Sequence, residues 1–214
     1  MKAVVHGTQI ELEPNSKPFL LKRFLSDGFD ILLIFGLFML FTNLILSLPA
    51  AETYHTHYDR YTEIEEEVKQ QYQDPEEIGK ALKEHEEYQF EVLAANLNGY
   101  VIKAVAALVA EAIILLLIPL VNKGRATPGK LMTGILPFNE KRQSTISFWQ
   151  VFSRFLFVFL IDSLGLYLLT GIMTFFLVPV LRLMEMLLNK KNKTICDFIT
   201  GTMVIEKLSY DGIN

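Results

Sequence analysis

The stretch from Ile31 to Leu48, eighteen residues without a charge, constrains the fold of this chain more than any other part of its sequence. A hydrocarbon layer about 30 Å thick is crossed by roughly 20 residues of helix, so this stretch predicts a membrane-spanning helix. The apolar core of a cleaved signal peptide is about 7–15 residues long and lies near the N-terminus. Thirty residues precede the run here, and we therefore expect the helix to remain in the protein.

Two further apolar regions predict additional spans. Val101 to Val121 is long enough for one helix, although Lys103 and Glu111 interrupt it. Phe148 to Leu188 has about twice the length of one span, and glycines near its middle allow a turn, so we expect two helices there. Together these regions predict an all-α membrane protein built as a four-helix transmembrane bundle.

Charged residues are distributed unevenly along the chain. Residues 49–100 contain thirteen Asp and Glu against four Lys and Arg, a net charge of −9, whereas the whole chain carries −4. Lysines and arginines instead lie beside the predicted spans, and membrane proteins keep such residues on the cytoplasmic side. This rule and the even number of spans both predict a multi-pass cell-membrane protein with cytoplasmic termini and an acidic loop outside. An acidic exterior argues against nucleic-acid binding.

Three segments follow from these patterns. Residues 1–48 hold a cytoplasmic N-terminus and the first span, and residues 49–100 form an extracytoplasmic acidic helical insertion. Residues 101–214 hold spans two to four, the cytoplasmic middle loop and the C-terminal tail, and are expected to form one membrane domain with 19–48. We see neither a repeat of solenoid period nor inverted repeats.

The acidic insertion is expected to be a helical hairpin. Tyr61 to Gln73 predicts one helix, and Asp74 is placed to cap a second one that runs through Ala94 and pauses at Asn98-Gly99. A solvated hairpin is the simpler interpretation. The alternative is a surface that binds a partner protein or gathers cations.

Arg23, Asp27 and Asp30 place charges where a membrane makes them costly. Their spacing of four and three residues puts all three on one helix face. A charge at the middle of a span costs about 2.5–3.5 kcal/mol. One interpretation is an interfacial helix end, where Arg23 reaches lipid phosphates and the aspartates bind water or backbone. We favour a buried polar site, because an anchor has no need of two acids.

Glu111 lies about ten residues inside the second predicted span, and several of its neighbours are alanines. Small residues let helices approach closely, so this face is expected to pack against another helix. The carboxyl group is then either a neutral hydrogen-bonding contact or a proton- or cation-binding group. Arg154 and Arg182 in the later spans are candidate partners for the acids, and Glu185 is an alternative partner for Arg182.

The middle loop and the end of the chain predict a small cytoplasmic cap. Gly124 to Lys130 contains adjacent Pro and Gly residues and is expected to turn. Leu131 to Phe138 and Thr202 to Glu206 are strand-like, and a single strand would leave its backbone unpaired. We expect the two strands to pair as a β-hairpin-like cap.

These features together resemble the RDD family of membrane proteins, named for an arginine and two aspartates. Arg23 followed by Asp30 at the start of an apolar helix is similar to the family's opening pattern. The other matches are Thr127-Pro128-Gly129-Lys130 with Gly134, then Arg154, then Asp197 with Gly201-Thr202. The resemblance maps the named trio to Arg23, Asp30 and Asp197, and it covers roughly 19–48 and 101–206. The chain departs from the pattern at Asp27, an extra acid, at Cys196, where His is more usual, and in the insertion 49–100.

Some members of this family are described as monovalent cation/proton antiporters, so the resemblance implies membrane transport. We expect Asp27, Asp30 and Glu111 to bind cations or protons, and Arg23, Arg154 and Arg182 to organise charge. The residues expected to fix the cytoplasmic cap are Thr127, Pro128, Gly129, Lys130, Gly134, Asp197 and Gly201. Because a four-span protomer is small for alternating access, transport would involve a homo-oligomer or a partner membrane protein.

Other functions remain open at this point. The chain could be a non-transporting scaffold or accessory subunit, in which ionic groups hold helices together and the outer hairpin binds a partner. A lipid-headgroup pocket around the basic middle loop is a further interpretation. An enzyme is not expected, because the sequence shows no nucleophile–base pair, metal-ligand set or cofactor motif.

Overall fold

The structure is a computed structural model that describes residues 2–5, 8–11, 17–139, 141–142, 144–165, 177–189 and 193–206. It is mostly helical, with two long apolar helices and a small three-stranded antiparallel sheet. Strands β1 (Lys2–Val5) and β2 (Thr8–Glu11) form a separate antiparallel pair that was not predicted. The chain divides into two compact units, residues 1–37 with 107–214, and residues 38–106.

The first long helix, α1 (Lys17–Leu46), contains most of the uncharged run that predicted a span. Its segment Leu20–Leu46 has 27 residues. At 1.5 Å per residue it is about 40 Å long, enough to cross a hydrocarbon layer of about 30 Å. A 3₁₀ turn over Pro49–Ala51 follows the helix. Proline lacks the N–H that a continuing helix requires, which accounts for the end of α1 just before it.

The second long helix runs from Glu86 to Val121, 36 residues. It consists of α4 (Glu86–Glu111), a π-helical turn (Ala112–Leu117) and α5 (Ile118–Val121). Pro119 removes one backbone donor, and the helix widens over the residues just before it. The expected pause at Asn98-Gly99 is wrong. Gly99 instead leaves room for the ring of Tyr54, which would lie 3.3 Å from a Cβ at this position.

The acidic insertion is helical, as predicted, and belongs to the unit 38–106. Its helices are α2 (Glu52–Gln71) and α3 (Pro75–Glu84). The predicted cap is confirmed, because the Asp74 side chain accepts a hydrogen bond from the backbone N–H of Glu76 at 3.0 Å. The prediction that α3 runs through Ala94 is wrong, since it ends at Glu84 and α4 starts two residues later. Ion pairs such as Arg60–Glu87, at 2.8 Å, join α2 to α4.

The three-stranded sheet lies in the other unit. Strand β3 (Ile135–Asn139) lies between β4 (Ser144–Thr145) and β5 (Thr202–Glu206) and is antiparallel to both. The predicted pairing of the two distant strands is confirmed. The start predicted at Leu131 is wrong, because Pro128–Met132 forms the short helix α6 and β3 follows it.

Three further helices complete the described part of the chain: α7 (Phe148–Phe157), α8 (Leu177–Leu188) and α9 (Ile195–Ile199). A π-helical segment continues α7 to Gly165, and α7 packs against the π-helical turn of the second long helix. Of the two glycines expected to allow a turn between the third and fourth spans, Gly165 ends this π-helical segment and Gly171 lies outside the described residues. Among the residues described, two helices have the length and composition to cross a membrane, and the apolar helix Phe148–Ile161 is shorter.

Candidate functional site

The three charged residues of α1 are buried. Arg23, Asp27 and Asp30 expose 4%, 6% and 3% of their surfaces, so none of them is directed at solvent. Each contacts a segment that lies far away in the sequence. They therefore form one side of a buried polar site, rather than a row of exposed groups at a helix end.

Asp30 holds the first turn of α6. The backbone N–H of Gly129 donates to its Oδ1 at 2.7 Å, and the hydroxyl of Thr127 donates to its Oδ2. The helices approach so closely that a Cβ at position 129 would lie 2.1 Å from the carbonyl oxygen of Ser26. Glycine is therefore required at this position by the approach of two backbones.

The ammonium group of Lys130 lies among oxygens of α1 and α6. Its Nζ is 3.3 Å from Oδ1 of Asp27, 3.7 Å from Oδ2 of Asp30 and 3.4 Å from the hydroxyl of Thr127. Nη1 of Arg182, on α8, lies 3.8 Å from the same Asp27 oxygen. Lys130 was predicted to be part of the cap, and the structure places it in the same cluster as the two aspartates. Glu185, the other partner considered for Arg182, accepts a hydrogen bond from the backbone N–H of Ile195 at 3.1 Å.

Asp197, on α9, binds two arginines from two different helices. Nη2 of Arg23 donates to its Oδ2 and Nη1 of Arg154 donates to its Oδ1, both at 2.5 Å. Arg154 also donates to the hydroxyl of Thr202. Burial by itself would raise the pKa of Asp197, but the charges of Arg23 and Arg154 outweigh it and hold this pKa well below its usual range. Asp197 is thus a permanent carboxylate at neutral pH.

The two segments that carry Lys130 and Asp197 are copies of one another. Leu120 to Gly134 (LVNKGRATPGKLMTG) and Leu187 to Gly201 (LLNKKNKTICDFITG) are identical at six of fifteen positions. Each continues from a helix end through a threonine N-cap into a five-residue helix, then through Thr-Gly into a strand. Lys130 and Asp197 occupy equivalent positions in the two copies.

The backbone geometry of the two copies agrees in detail. Gly134 and Gly201, which turn the chain into the strands, have φ of 69° and 62°. Asn122 donates its side-chain amide to the carbonyl of Ala126 at 2.6 Å, and the equivalent Asn189 donates to that of Lys193 at 3.4 Å.

In the pairing of β3 with β5, equivalent residues of the two copies lie symmetrically about the centre of the ladder. The central pair of the register is Pro137 opposite Val204, and these two residues are equivalent in the repeat. A local two-fold axis therefore passes between them. The sequence Arg-Phe-Leu also occurs twice, at Arg23 in α1 and at Arg154 in α7, and these are the two arginines that bind Asp197. The repeat is visible in the sequence when the chain is aligned with itself, and it is neither a solenoid repeat nor an inverted one.

A cavity of about 40 Å³ lies at the centre of this arrangement. Its wall includes Arg23, Asp27, Thr127, Lys130, Arg154 and Arg182. Asp30 and Asp197 are not among the described residues that line the cavity, but each forms an ion pair with one that is.

Glu111 is 1% exposed and lies beside the buried Ala107 and Ala110, which agrees with a packed helix face. The structure thus brings the predicted arginines and aspartates together, in or directly behind the wall of one cavity.

The fold and the site define a class of protein: a helical protein with two candidate membrane-spanning helices, whose buried ion pairs join a duplicated segment to α1 and α7. The chain belongs to the RDD family, whose model matches residues 17–201. This match confirms the predicted resemblance and includes the acidic insertion. Searches of curated proteins and of solved structures found no match.

Proposed function

We propose that this protein is a membrane transport protein that exchanges a monovalent cation, such as Na⁺, for protons. The observation that carries the proposal is the position of the Lys130 ammonium group among oxygens of Asp27, Asp30 and Thr127. This group is itself a monovalent cation held by two carboxylates and a hydroxyl. A metal cation of the same charge fits the same set of donors.

The exchange follows from competition for these oxygens. A cation and an ammonium group a few ångströms apart repel each other by several kcal/mol at an effective dielectric constant of about 20. Entry of the cation therefore expels the ammonium group or its proton, while the net charge of the site stays the same. Lys130 and Asp27 both line the cavity, which gives a competing cation space beside them.

The internal duplication supports transport over a purely structural role. Parallel repeats related by an axis along the membrane normal are one of the architectures of secondary transporters, whose sites lie where the repeats meet. Here the cavity is lined by both copies, with Thr127 and Lys130 from one and Thr194 and Cys196 from the other. Each half would contribute two spans, which makes the four-helix bundle the arrangement that fits this symmetry.

The topology proposed with this function has both termini, the sheet and the buried site on the cytoplasmic side of the cell membrane. The insertion 49–100, with its net charge of −9, would lie outside. Glu111 is proposed as a second proton-binding group, because its carboxyl is buried within the second long helix. The proposal involves no enzymatic activity and no cofactor, and its partners are lipids, the transported ions and a second copy or a partner membrane protein.

Proteoliposomes test the exchange directly. We expect the wild type to show cation-dependent proton flux, Asp30→Asn and Lys130→Gln to abolish it, and Glu111→Gln to reduce it. Lys141, exposed in the turn after β3, offers the matched control, because Lys141→Gln removes the same charge away from the site. Absence of flux in the wild type, or undiminished flux in folded Lys130→Gln, would contradict the proposal.

A specific observation favours a second candidate, a non-transporting scaffold. Asp197 is 0% exposed and bound by two arginines at 2.5 Å, an arrangement suited to holding helices in place. In that function the helical insertion 49–100 would bind a partner protein. Deletion of α3 would then abolish co-purification of the partner, whereas it would leave cation-dependent flux unchanged if the protein is an exchanger.

A further inference from the structure

We propose that the cavity lined by the two repeated segments binds one small oxyanion of the phosphate class. The cavity shares Asp27, Thr127 and Lys130 with the cation site proposed above, but the inference rests on the arginines of its wall and not on the exchange. Three observations carry it: the charge of the wall, the conformation of Arg125, and the size of the cavity.

The wall is dominated by cationic groups. Five of its side chains are positive: Arg23, Arg125, Lys130, Arg154 and Arg182. Asp27 is the one carboxylate among the described residues of the wall. Asp30 and Asp197 contact these cations from behind, and Glu111 is buried one turn before Leu115, which also lines the cavity. Among the described residues of this cluster, the five cationic side chains outnumber the four acids, which favours an anionic ligand in the cavity.

Arg125 is the side chain with unused capacity to bind an anion. Its Nη1 is buried and, within the described part of the chain, has no hydrogen-bond partner. Its backbone φ of 49° is uncommon for a residue other than glycine and stores strain. The Asn122 side chain maintains this conformation, because its Oδ1 accepts from the N–H of Ala126 at 3.0 Å and its Nδ2 donates to the carbonyl of the same residue. The loop is thus fixed in a form that places a guanidinium group on the cavity wall.

The size of the cavity limits the ligand. A volume of about 40 Å³ holds a few water molecules or one small anion. Guanidinium groups bind oxyanions with two parallel hydrogen bonds, which favours phosphate-like geometry over a spherical ion. Two sources share this chemistry, inorganic phosphate from solution and the phosphate group of an anionic lipid.

Binding to the purified full-length protein in neutral detergent tests the proposal. Thermal stability is measured with increasing inorganic phosphate, and separately in mixed micelles that contain phosphatidylglycerol or, as a neutral reference, phosphatidylcholine. We expect the thermal midpoint to rise with phosphate if the ligand is the free ion, and only with phosphatidylglycerol if it is a lipid. Either result supports the site, and a rise in neither arm overturns it.

Substitutions locate the binding. Arg125→Gln is expected to weaken the apparent Kd for the effective anion at least about tenfold, because charged hydrogen bonds to one guanidinium group are lost. Arg125→Lys keeps the charge without the fork and is expected to bind with intermediate affinity, which also covers the case that Arg125→Gln does not fold. Arg142→Gln removes an arginine that is exposed in the turn after β3 and should leave the Kd unchanged. Equal binding by wild type and Arg125→Gln, or equal loss in Arg142→Gln, would overturn the assignment, and neither outcome bears on cation-dependent flux.

Discussion

The backbone N–H of Gly129 donates a hydrogen bond of 2.7 Å to Oδ1 of Asp30, across 99 residues of sequence. This contact brings the N-terminal turn of α6 against the middle of α1. The approach has no space for a side chain at position 129, since the carbonyl oxygen of Ser26 occupies it. The contact between α1 and α6 therefore depends on three residues together: Asp30, Thr127 and Gly129.

Gly129→Ala is expected to lower the free energy of unfolding by about 3 kcal/mol or more, at the upper end of overpacking effects, because its Cβ would collide with backbone. Gly36, on the same helix α1, has no heavy atom within 4 Å of an added Cβ and supplies the control. Gly36→Ala should change the stability by no more than about 1 kcal/mol. Denaturation in detergent measures both variants, and equal stabilities would contradict the close approach.

Thr127→Val is expected to destabilise the protein by about 1–3 kcal/mol, because Asp30 loses a hydroxyl donor in a buried position. Thr127→Ser keeps the hydroxyl and should cost less than about 1 kcal/mol, the contribution of one methyl group. The double variant Thr127→Val with Asp30→Asn completes a thermodynamic cycle. Additive effects in that cycle would show that the two side chains do not interact.

Asp197→Asn is expected to lower the free energy of unfolding by about 3–5 kcal/mol, because Arg23 and Arg154 would remain buried without their carboxylate. Asp74, an exposed helix cap, supplies the comparison. Asp74→Asn makes the same chemical change but keeps its hydrogen-bond acceptor, so it should have a small effect. Thermal midpoints at neutral pH measure the difference, and equal midpoints for the two variants would contradict the buried triad.

The same carboxylate predicts a dependence on pH. Burial alone would raise the pKa of Asp197, but Arg23 and Arg154 hold it well below the ordinary value of 3.8 in the folded protein. Below this ordinary value the unfolded chain binds a proton that the folded chain does not, so stability falls with falling pH. Above it the contribution is fully present. We expect Asp197→Asn to lose this part of the acid dependence, and parallel stability curves for variant and wild type between about pH 5 and pH 2.5 would contradict it.

Tyr61, in the insertion, predicts an effect at alkaline pH. Burial and then the neighbouring Tyr58 raise the pKa of Tyr61 to about 12 from 10.0. Because the folded pKa is the higher one, the contribution of Tyr61 to stability is complete below about pH 10 and is lost as pH rises toward about 12. Absorbance titration at about pH 11 should find one more protonated tyrosine in the wild type than in Tyr61→Phe. Tyr72→Phe, at an exposed position, should leave that protonated group in place.

Local patterns predicted the parts of this structure that depend on neighbouring residues. The uncharged run predicted a long apolar helix, and α1 contains most of it. Asp74 was predicted to cap a helix, and it is the N-cap of α3. The pairing of β3 with β5 followed from the need of each strand for a neighbour. The pause expected at Gly99 is absent, and the helix continues through this position with the ring of Tyr54, distant in sequence, packed beside it.

The connections within the site could not be obtained in this way. Family resemblance singled out Arg23, Asp30 and Asp197, but no spacing rule states that Arg23 and Asp197 bind each other across 174 residues. Arg182 was a candidate partner both for the acids of the other spans and for Glu185 on its own helix, and only the structure, which places it 3.8 Å from Asp27, decides for the former. The duplication was visible in the sequence, but the insertion 49–100 lies between Arg23 and the first repeated segment, so the spacing from Arg23 to Lys130 differs from that between Arg154 and Asp197.

The distance along the chain between Arg23 and Asp197 has a consequence for biosynthesis. At about 5–20 residues per second, the ribosome needs roughly 9–35 s to extend the chain by the 174 residues that separate them. During this time Arg23 and then Arg154 exist without their common carboxylate, and β3 has an open edge where β5 later pairs. A nascent chain that stops before residue 195 therefore displays two features that chaperones and proteases can distinguish from the finished molecule. Residues 195–206 therefore complete the packing of α1 and β3 long after these two elements have been translated.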